Sequence, residues 1–494
     1  MAINPVKSIS EFYAGQSIFL TGATGFVGKV FIEKVLRCCP DVCEIFLLIR
    51  PKKDLSVEER LKNILNLPIF DKLRQERPLS FKKLVPILGD TKKEMLGLSV
   101  IDRQMLTERV TIIIHAAASV RFNETLTDSI LINLRSTRDI CILAQSMKNL
   151  IALVYIGTAF THIENAVIEE KIYPPVTDWR KMITVAEHLD EHILNIFTLK
   201  YIDNFVNTYI FTKKLAENII EEYSSSLPCA IIRPSIILNS VSDPFPGWVD
   251  NVYGPIGICI GGGKGLIRVV YHSKHISLDL IPVDFLIKTI IVVPWKLGLT
   301  SFAPGSLPFV VNCISQRTIA FYAAANLATN LVKEDIPMEN VLWTTNVIFT
   351  ENYIIFYVLT MILHVLPAML IDLILKFFGR KPMILKIIRN LYVTTCVLRH
   401  FMMNQWKFNN TNNIALMSLI PSDEQNTFSF DWCNLDCKEH LKTCIIGAKK
   451  FILHEDMNRL DAAKAHYRRV YICVTIFKTI VVSGMLWLMY KYIF

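Results

Sequence analysis

The amino-acid sequence predicts an α/β protein with a doubly wound parallel sheet, followed by a mainly helical region and a C-terminal membrane segment. Two observations predict the sheet. Strand-length apolar runs alternate with helical patterns through the first half of the 494 residues, and the first run ends in a glycine-rich turn. A hydrophobic content of 52% and a long apolar stretch at residues 470–490 predict contact with membrane lipid.

The glycine-rich turn is the segment Thr-Gly-Ala-Thr-Gly-Phe-Val-Gly at residues 21–28, between an apolar run at 17–20 and a helical pattern at 29–36. Strand, glycine turn and helix in this order begin a dinucleotide-binding βαβ unit of the Rossmann type. The three glycines permit the tight turn, the approach of backbone N–H groups to the pyrophosphate, and the packing of the helix on the strand. A bare structural turn is the alternative. The predicted cofactor contacts in this turn are Thr21, Gly22, Thr24, Gly25, Phe26 and Gly28.

The second predicted strand indicates which dinucleotide binds. Residues 44–50 end in Arg50, at the point where NAD enzymes often carry an acid that holds the ribose 2′-hydroxyl. A cation at this point can hold a 2′-phosphate instead. The sequence therefore favours NADPH, with a solvated basic loop as the alternative reading of Arg50.

The third and fourth predicted strands continue the same sheet. Residues 84–90 end in Asp90, and residues 111–118 end in small residues that begin with Ala116. Both Asp90 and Ala116 are predicted to contact the cofactor. His115 lies between an apolar strand and an alanine run, so we interpret it as structural or cofactor-lining rather than as a catalytic base.

A Tyr-x-x-x-Lys spacing indicates the chemistry. Thr158 lies at the end of a predicted strand at 152–159, and a predicted helix at 203–223 contains Tyr209 and Lys213. Residues four apart share a helix face, so we expect the Lys213 ammonium to lower the pKa of the Tyr209 phenol and make it a proton donor. Thr158 can hydrogen-bond the same substrate oxygen. The spacing alone is often accidental, but with the glycine turn and the strand-end threonine it predicts Tyr209, Lys213 and Thr158 as catalytic residues, the first two also contacting the cofactor.

Together these residues resemble the extended short-chain dehydrogenase/reductase superfamily, and more closely the alcohol-forming fatty acyl-CoA reductases. The likeness extends over nearly the whole chain. Two positions depart from the family pattern: Gly157 stands where the family usually has Ser, and Cys437 stands where the C-terminal domain commonly has Trp. The segments that carry the likeness are 21–29, 48–51, 115–118, 158–159, 209–213, 233–235, 247–251, 279–284 and 428–431, with Phe401, Trp406, Phe408 and Asn409.

The resemblance implies that a long-chain fatty acyl-CoA and two NADPH give a primary alcohol, two NADP+ and free CoA, through an aldehyde-level intermediate. It also implies a domain organisation. Residues 1–16 are a leader, residues 17–340 an NADP-binding Rossmann reductase domain with substrate elements, and residues 355–453 the C-terminal domain of the family.

Two apolar segments predict membrane contact. Residues 470–490 match the ~20 residues that cross a bilayer, with an amphipathic surface helix or a soluble helix as alternatives. More cations precede this segment than follow it, which predicts that the catalytic part faces the cytosol. Residues 353–377 are interpreted as a second membrane-associated segment, a bent hairpin or surface-embedded helix pair, with a buried helix as the alternative. The family suggests the endoplasmic reticulum membrane, with the peroxisomal membrane as alternative.

The charge and the cysteine and histidine patterns of the sequence bear on which partners and functions are expected. A net charge of +9 without a long Lys/Arg run predicts no nucleic-acid partner, and no Cys/His spacing predicts a metal site. Homo-oligomer formation stays open. Two other functions also stay open: a membrane-bound member of the same superfamily that acts on a steroid or other lipid, and a non-catalytic NADP-binding protein that organises lipid. NADPH turnover and product identity distinguish them.

Overall fold

The computed structural model of the protein describes residues 8–52, 55–122, 124–202, 205–315, 318–431 and 435–493. These residues form two compact units. Within the described ranges, the first unit consists of residues 8–245, 279–315 and 406–431, and the second of residues 246–278, 318–405 and 435–493. Residues 1–7 of the predicted leader lie outside the described residues.

The first unit contains the predicted parallel sheet, with seven strands in the order β7-β6-β5-β4-β1-β2-β3. All neighbouring strands are parallel. The order reverses direction between β1 and β4, which is the switch point where open α/β sheets bind their ligands. The strands are β1 Ser17–Thr21, β2 Glu44–Ile49, β3 Leu84–Leu88, β4 Ile112–His115, β5 Ala152–Ile156, β6 Cys229–Pro234 and β7 Phe309–Cys313.

Both faces of this sheet are buried, which explains why its strands are nearly continuous apolar runs. Alternate residues such as Phe19, Ile113 and Leu153 join a core cluster with the helices on one face. Helices Phe26–Cys38 and Val283–Gly298 pack against each other, and the second of them contacts β5. The fold class predicted from the sequence is therefore confirmed.

The two helices predicted for the first unit, at 29–36 and 203–223, are both present. A further helical segment, residues 126–145, is interrupted by a π-helical turn at Ile130–Arg135. The helix predicted at 203–223 begins only at Thr208, because the Asn207 side chain accepts the Ile210 N–H at 2.9 Å and caps it. The α-helices are Ile9–Tyr13, Phe26–Cys38, Val57–Leu65, Asp71–Glu76, Val100–Arg109, Leu126–Ser129, Ser136–Gln145, Trp179–His188, Glu191–Tyr201, Thr208–Ser224, Val283–Gly298, Thr411–Leu419 and Gln425–Phe428.

The described part of the predicted leader belongs to this fold. Helix Ile9–Tyr13 has a capping box formed by Ser8 and Glu11, and its residue Ile9 is fully buried. The Tyr13 hydroxyl donates to the Ile291 carbonyl at 2.8 Å. The segment therefore contributes a buried helix to the first unit.

The second unit is mainly helical, with two short two-stranded sheets. Val269–Tyr271 pairs in parallel with Ile348–Thr350, and Ser277–Leu278 pairs antiparallel with Ile319–Ala320. Its α-helices are Pro255–Gly263, Phe321–Glu334, Tyr353–Thr360, Leu366–Phe377, Ile384–Met403, Cys437–Gly447 and Leu460–Ile493. The two apolar segments predicted from the sequence are both helical, and both are long and apolar enough to cross a membrane.

Candidate active site

The glycine turn after β1 is shaped by close backbone contacts. Gly22 has φ +78°, and a Cβ added there would lie 2.8 Å from the backbone of Ala116. A Cβ at Gly28 would lie 2.4 Å from the Gly22 carbonyl oxygen. Only glycine fits at these two positions, so the first helical turn packs directly on the loop, as the sequence predicts.

This turn fits the pyrophosphate of a dinucleotide. Gly25 is the N-cap of the 13-residue helix Phe26–Cys38 and has no side chain that could bond the first-turn N–H groups. Those N–H groups and the helix dipole therefore favour an anion at this position. Thr24 and Phe26 are both half-buried beside it.

The Thr21 side chain lies behind the turn and connects two strands. It is fully buried, its hydroxyl oxygen lies 2.7 Å from His115 Nδ1, and it accepts the Ala117 N–H at 3.2 Å. Thr21 thus holds the segment after β4, including Ala116, against the end of β1. Thr21 therefore positions the cofactor site through buried contacts.

Arg50 and Asp90 follow β2 and β3, so the parallel sheet brings them to the same edge as the glycine turn. Arg50 is exposed, and its carbonyl accepts a hydrogen bond from Arg60. Asp90 is half-buried, and its carboxylate accepts the Lys92 N–H at 2.9 Å. The exposed guanidinium of Arg50 is available to an anionic ligand at this edge.

Thr158 and Tyr209 are brought together beyond the end of β5. The Thr158 side chain is close enough to the Tyr209 phenol to lower its pKa. Thr158 is buried, and the Tyr209 ring lies 5.8 Å from the Phe122 ring between centroids. Two hydroxyl groups therefore meet at one point, as required for two donors to the same substrate oxygen.

Lys213 lies next to this pair but differs from the prediction in its partner. Its ammonium donates to the Ile156 carbonyl at 2.7 Å and lies 4.6 Å from the centroid of the Tyr155 ring. The predicted decrease in the pKa of Tyr209 is wrong for this geometry, because burial raises the pKa of Tyr209 and the Thr158 hydrogen bond only opposes that rise. Burial lowers the pKa of Lys213 to about 7, so desolvation dominates at both residues.

His115 is placed as the sequence predicts. Its ring lies between the hydroxyls of Thr21 and Thr137, with its Nε2 3.2 Å from the latter. Burial, together with the charge of Lys213, lowers the pKa of His115 to about 3. The ring is therefore neutral at physiological pH, consistent with a structural role.

Comparison with known proteins places this site in a family. The chain matches the male sterility protein family at residues 20–290 and again, through a second domain of that family, at residues 363–455. It is 36% identical over 465 residues to fatty acyl-CoA reductase 1 of Mus musculus and of Homo sapiens, covering 94% of this chain and 90% of each relative. The chain belongs to the fatty acyl-CoA reductase family.

A relative from an insect matches this chain over a similar length. The fatty acyl-CoA reductase wat of Drosophila melanogaster is 33% identical over 472 residues, which cover 95% of this chain and 90% of that protein. The family resemblance stated from the sequence motifs is confirmed, and with it the assignment of this fatty acyl-CoA reductase family member as an oxidoreductase enzyme.

Solved structures share the fold. The terminal reductase domain of the myxalamid pathway superposes with a TM-score of 0.58 at 18% identity, covering 88% of this chain and 90% of that chain. A reductase domain of a non-ribosomal peptide synthetase from Mycobacterium tuberculosis gives a TM-score of 0.55 at 15% identity, covering 89% and 92%. The family and the glycine turn together establish a nicotinamide dinucleotide as the cofactor class.

One feature of this family member that the sequence analysis missed is a buried ionic network below Lys213. Glu217 accepts hydrogen bonds from Arg233 at 2.9 and 2.7 Å, and its Oε2 lies 2.9 Å from the His162 ring. Burial would raise the pKa of Glu217, but Arg233 and His162 lower it to about 2. Glu217 also raises the pKa of Lys213, one helical turn away, so it favours the ammonium form.

Sequence signals for this network existed but were separate. Glu217 follows Lys213 at helical spacing, and Arg233 belongs to the Arg-Pro-Ser motif at the end of β6. Only the fold shows that both lie in the core, where Arg233 and Glu217 are each at most 1% exposed. The family departure at Gly157 also lies here, because a Cβ at this position would approach Glu217 Oε1 to 3.2 Å.

Asn133 is a second positioning residue that the analysis did not single out. It lies in the π-helical turn, a feature frequent at functional sites. Its amide accepts the Ser119 N–H at 2.9 Å and donates to the Thr212 hydroxyl at 3.0 Å. Asn133 thus holds the segment after β4 against the helix that carries Tyr209.

No group of three or more His, Cys, Asp or Glu side chains is placed to hold a metal ion among the residues that the structure describes. The charged groups near Tyr209 are instead used in ion pairs and hydrogen bonds within the protein.

Proposed function

We propose that this protein reduces long-chain fatty acyl-CoA to a primary fatty alcohol, with release of CoA and with NADPH as the reductant. The observation that carries the proposal is the pair of hydroxyls of Thr158 and Tyr209 at the end of β5, next to the buried Lys213. It occurs in a chain that is 36% identical to fatty acyl-CoA reductase 1 over almost its full length.

The cofactor site is proposed from the residues at the edge of the sheet. Gly22, Gly25 and Gly28, with Thr21, Thr24 and Phe26, hold the pyrophosphate region at the start of helix Phe26–Cys38. Arg50 holds the 2′-phosphate, and Asp90 and Ala116 line the remaining surface. NADPH, when bound, supplies hydride for both reductions.

The residues beyond β5 provide the acid chemistry. Thr158 and Tyr209 donate hydrogen bonds to the thioester carbonyl oxygen, where negative charge develops as the carbonyl carbon is reduced. Tyr209 then gives its proton to that oxygen, and the raised pKa of its phenol ensures that the proton is present at neutral pH. Loss of the CoA thiol leaves an aldehyde, and the same two hydroxyls bind its oxygen in the second reduction.

The decisive test of the chemistry is Tyr209→Phe. Membranes that contain the wild-type protein, NADPH and acyl-CoAs from medium to very long chain are expected to form primary alcohol. Tyr209→Phe removes the proton donor, so alcohol formation is expected to fall by about 10²–10⁴-fold. Analysis of the lipids by mass spectrometry measures both.

Other products would lead to other conclusions. Aldehyde without alcohol would contradict the second reduction. No lipid product with continued NADPH consumption would favour a steroid or other lipid substrate. The absence of NADPH consumption would favour a non-catalytic, lipid-organising protein. Equal alcohol formation by wild type and Tyr209→Phe would contradict the role of the phenol.

The preference for NADPH is tested at Arg50. Arg50→Ala removes the charge-assisted contact with the 2′-phosphate, and we expect NADPH affinity to fall by roughly 10–100-fold while NADH affinity changes little. Arg77→Ala, another exposed arginine, is the control. Equal loss of both nucleotides in Arg50→Ala would contradict the assignment.

The domain organisation and location complete the proposal. Residues 17–340 are the reductase domain and residues 355–453 the family's C-terminal domain, while residues 353–377 associate with the membrane and residues 470–490 cross it. Lys464, Arg468 and Arg469 precede this span, so the reductase domain faces the cytosol. The endoplasmic reticulum is the favoured membrane, with the peroxisome as alternative, and the partners are acyl-CoA and membrane lipid.

A further inference from the structure

Two helices of the second unit form a hairpin. Helix Leu366–Phe377 packs against helix Ile384–Met403. Asp372, the single acidic residue between positions 353 and 403, accepts the backbone N–H groups of Met383, Ile384 and Leu385, each at 2.9 Å. This carboxylate satisfies the first turn of the second helix and closes the hairpin.

The base of the hairpin is bonded to the folded unit. The Arg268 N–H donates to His364 Nε2 at 2.8 Å, and the Arg268 guanidinium donates to the Leu363 carbonyl at 2.6 Å. The same guanidinium lies 4.3 Å from the centroid of the Trp343 ring. The middle of the apolar run 353–377 is therefore attached to the second unit at residues 363 and 364.

The part of the run that remains beyond this attachment is too short to cross a bilayer. Helix Leu366–Phe377 has 12 residues, or about 18 Å at 1.5 Å per residue. A hydrocarbon core is about 30 Å thick. While residues 363 and 364 stay bonded to Arg268, helix Leu366–Phe377 can therefore enter a membrane surface but does not by itself reach across the membrane.

The tip of the hairpin exposes large apolar side chains. Phe377 is 84% exposed and Phe378 is 72% exposed. Leu373 and Leu370, about one and two turns before Phe377, are also more than half exposed. Such a continuous apolar surface on a helix pair is typical of an interaction site.

The same tip is strongly basic. The exposed cations are Lys376, Arg380, Lys381, Lys386 and Arg389, and no Asp or Glu occurs from residue 373 to residue 403. Apolar side chains surrounded by unopposed cations complement a surface that has anionic headgroups over hydrocarbon.

We propose that the hairpin tip, residues 366–386, docks into the headgroup layer of an anionic phospholipid bilayer without crossing it. The inference rests on the proposed membrane association of residues 353–377 and specifies the lipid that this contact needs, separately from helix Leu460–Ile493. Phe377 and Phe378 enter the boundary between headgroups and acyl chains, while the cations bind lipid phosphates and carboxylates.

The test uses the full-length protein in nanodiscs of phosphatidylcholine, with or without phosphatidylserine. Hydrogen–deuterium exchange is measured for peptides from residues 366–386. We expect phosphatidylserine to slow exchange at the tip by at least about ten-fold, since each cation near an anionic surface contributes on the order of five-fold. The variant Lys376→Gln/Arg380→Gln/Lys381→Gln/Lys386→Gln is expected to lose this dependence on phosphatidylserine.

A control variant removes the same charge elsewhere. Lys62→Gln/Arg77→Gln/Lys82→Gln/Lys181→Gln changes four exposed cations of the first unit and is expected to keep the wild-type response. Phe377→Ser/Phe378→Ser is expected to speed exchange at the tip in both nanodiscs. Melting curves of all variants show whether they fold.

Several outcomes would overturn the docking. The first is hydrogen exchange at the tip that does not depend on phosphatidylserine, and the second is an equal response of the four-cation tip variant and the wild type. The third is protection of the tip in neutral detergent that grows with protein concentration, which would indicate a second copy of the chain as the occupant. Acyl-CoA reduction in the same nanodiscs is measured separately. Alcohol formation without lipid-dependent protection contradicts the docking alone, and protection without alcohol supports the docking while contradicting the reductase reaction.

Discussion

The core below Lys213 and the hairpin tip at Phe377 both depart from the usual distribution of side chains, one by burying charges and the other by exposing apolar groups. In the core, Glu217 and Arg233 are charged and at most 1% exposed. At the tip, Phe377 is apolar and 84% exposed. Both arrangements are unfavourable for a folded protein in water unless something compensates.

The compensation differs between the two regions. Arg233 and Glu217 compensate each other through two hydrogen bonds, and His162 adds a third partner. At the tip, the rings of Phe377 and Phe378 contact each other but stay 84% and 72% exposed among the residues that the structure describes, which is why we infer an external partner. The comparison teaches that a buried charge is explained by its neighbours in the fold, whereas an exposed apolar surface is explained by its surroundings.

The largest expected effect comes from breaking the buried network. Arg233→Ala leaves the Glu217 carboxylate buried without its main partner, so we expect the free energy of unfolding to fall by about 3–5 kcal/mol. Arg180→Ala removes an exposed ion pair with Glu222 and is expected to cost about 0–1 kcal/mol. Denaturant unfolding measures both, and equal small losses would show that the network does not stabilise the fold.

A second, smaller effect concerns pH. The ammonium form of Lys213 is lost as the pH rises through its pKa of about 7, so kcat/KM is expected to fall above that pH. Glu217→Gln removes the negative charge that raises this pKa, so the alkaline limb of kcat/KM should move to lower pH. Glu222→Gln, on the exposed part of the same helix, is the control.

The same shift has a consequence for stability. Because the pKa of Lys213 is lowered in the folded state, the unfolded chain binds more protons between about pH 7 and the ordinary lysine value of 10.5. Lys213 thus makes the free energy of unfolding rise with pH across that window.

An alkaline limb of kcat/KM that does not move in Glu217→Gln would show that Glu217 has only a structural role.

The smallest expected effect is at the exposed surface. Leu370→Ser/Leu373→Ser changes side chains that are more than half exposed, so in detergent we expect less than about 0.5 kcal/mol per site in the free energy of unfolding. Ile388→Ser, at a 5% exposed position of the same hairpin, is expected to be clearly more destabilising. Equal losses of unfolding free energy at Leu370/Leu373 and at Ile388 would mean that the surface around Leu370 is covered within the protein.

Local patterns in the sequence predicted most of the fold and the positions of the candidate site. Apolar runs predicted the first five strands because parallel strands are buried on both faces. The glycine turn was predicted together with its reasons, since Gly22 and Gly28 leave no space for a Cβ. The spacing of Tyr209 and Lys213 placed both on one helix face, and the strand-end position of Thr158 placed it at the same edge.

The remaining features depend on residues far apart in the chain. The sequence alone predicted a lowered pKa for Tyr209, because helical spacing shows the proximity of Lys213 but not the depth of burial. The π-helical turn at Ile130–Arg135 contains Asn133, which bonds to Ser119 and Thr212, residues distant in the chain. No local pattern in the sequence predicts such contacts.

The sequence by itself determined the fold class, the family and the nucleotide turn, because periodicity and glycine spacing act over a few residues. Only the tertiary structure decided that Glu217 and Arg233 form one network and that Arg268 attaches the middle of an apolar helix to the second unit. Burial and long-range hydrogen bonds arise when distant segments meet. They set the pKa of Lys213 and leave only 12 residues of that helix beyond the attachment.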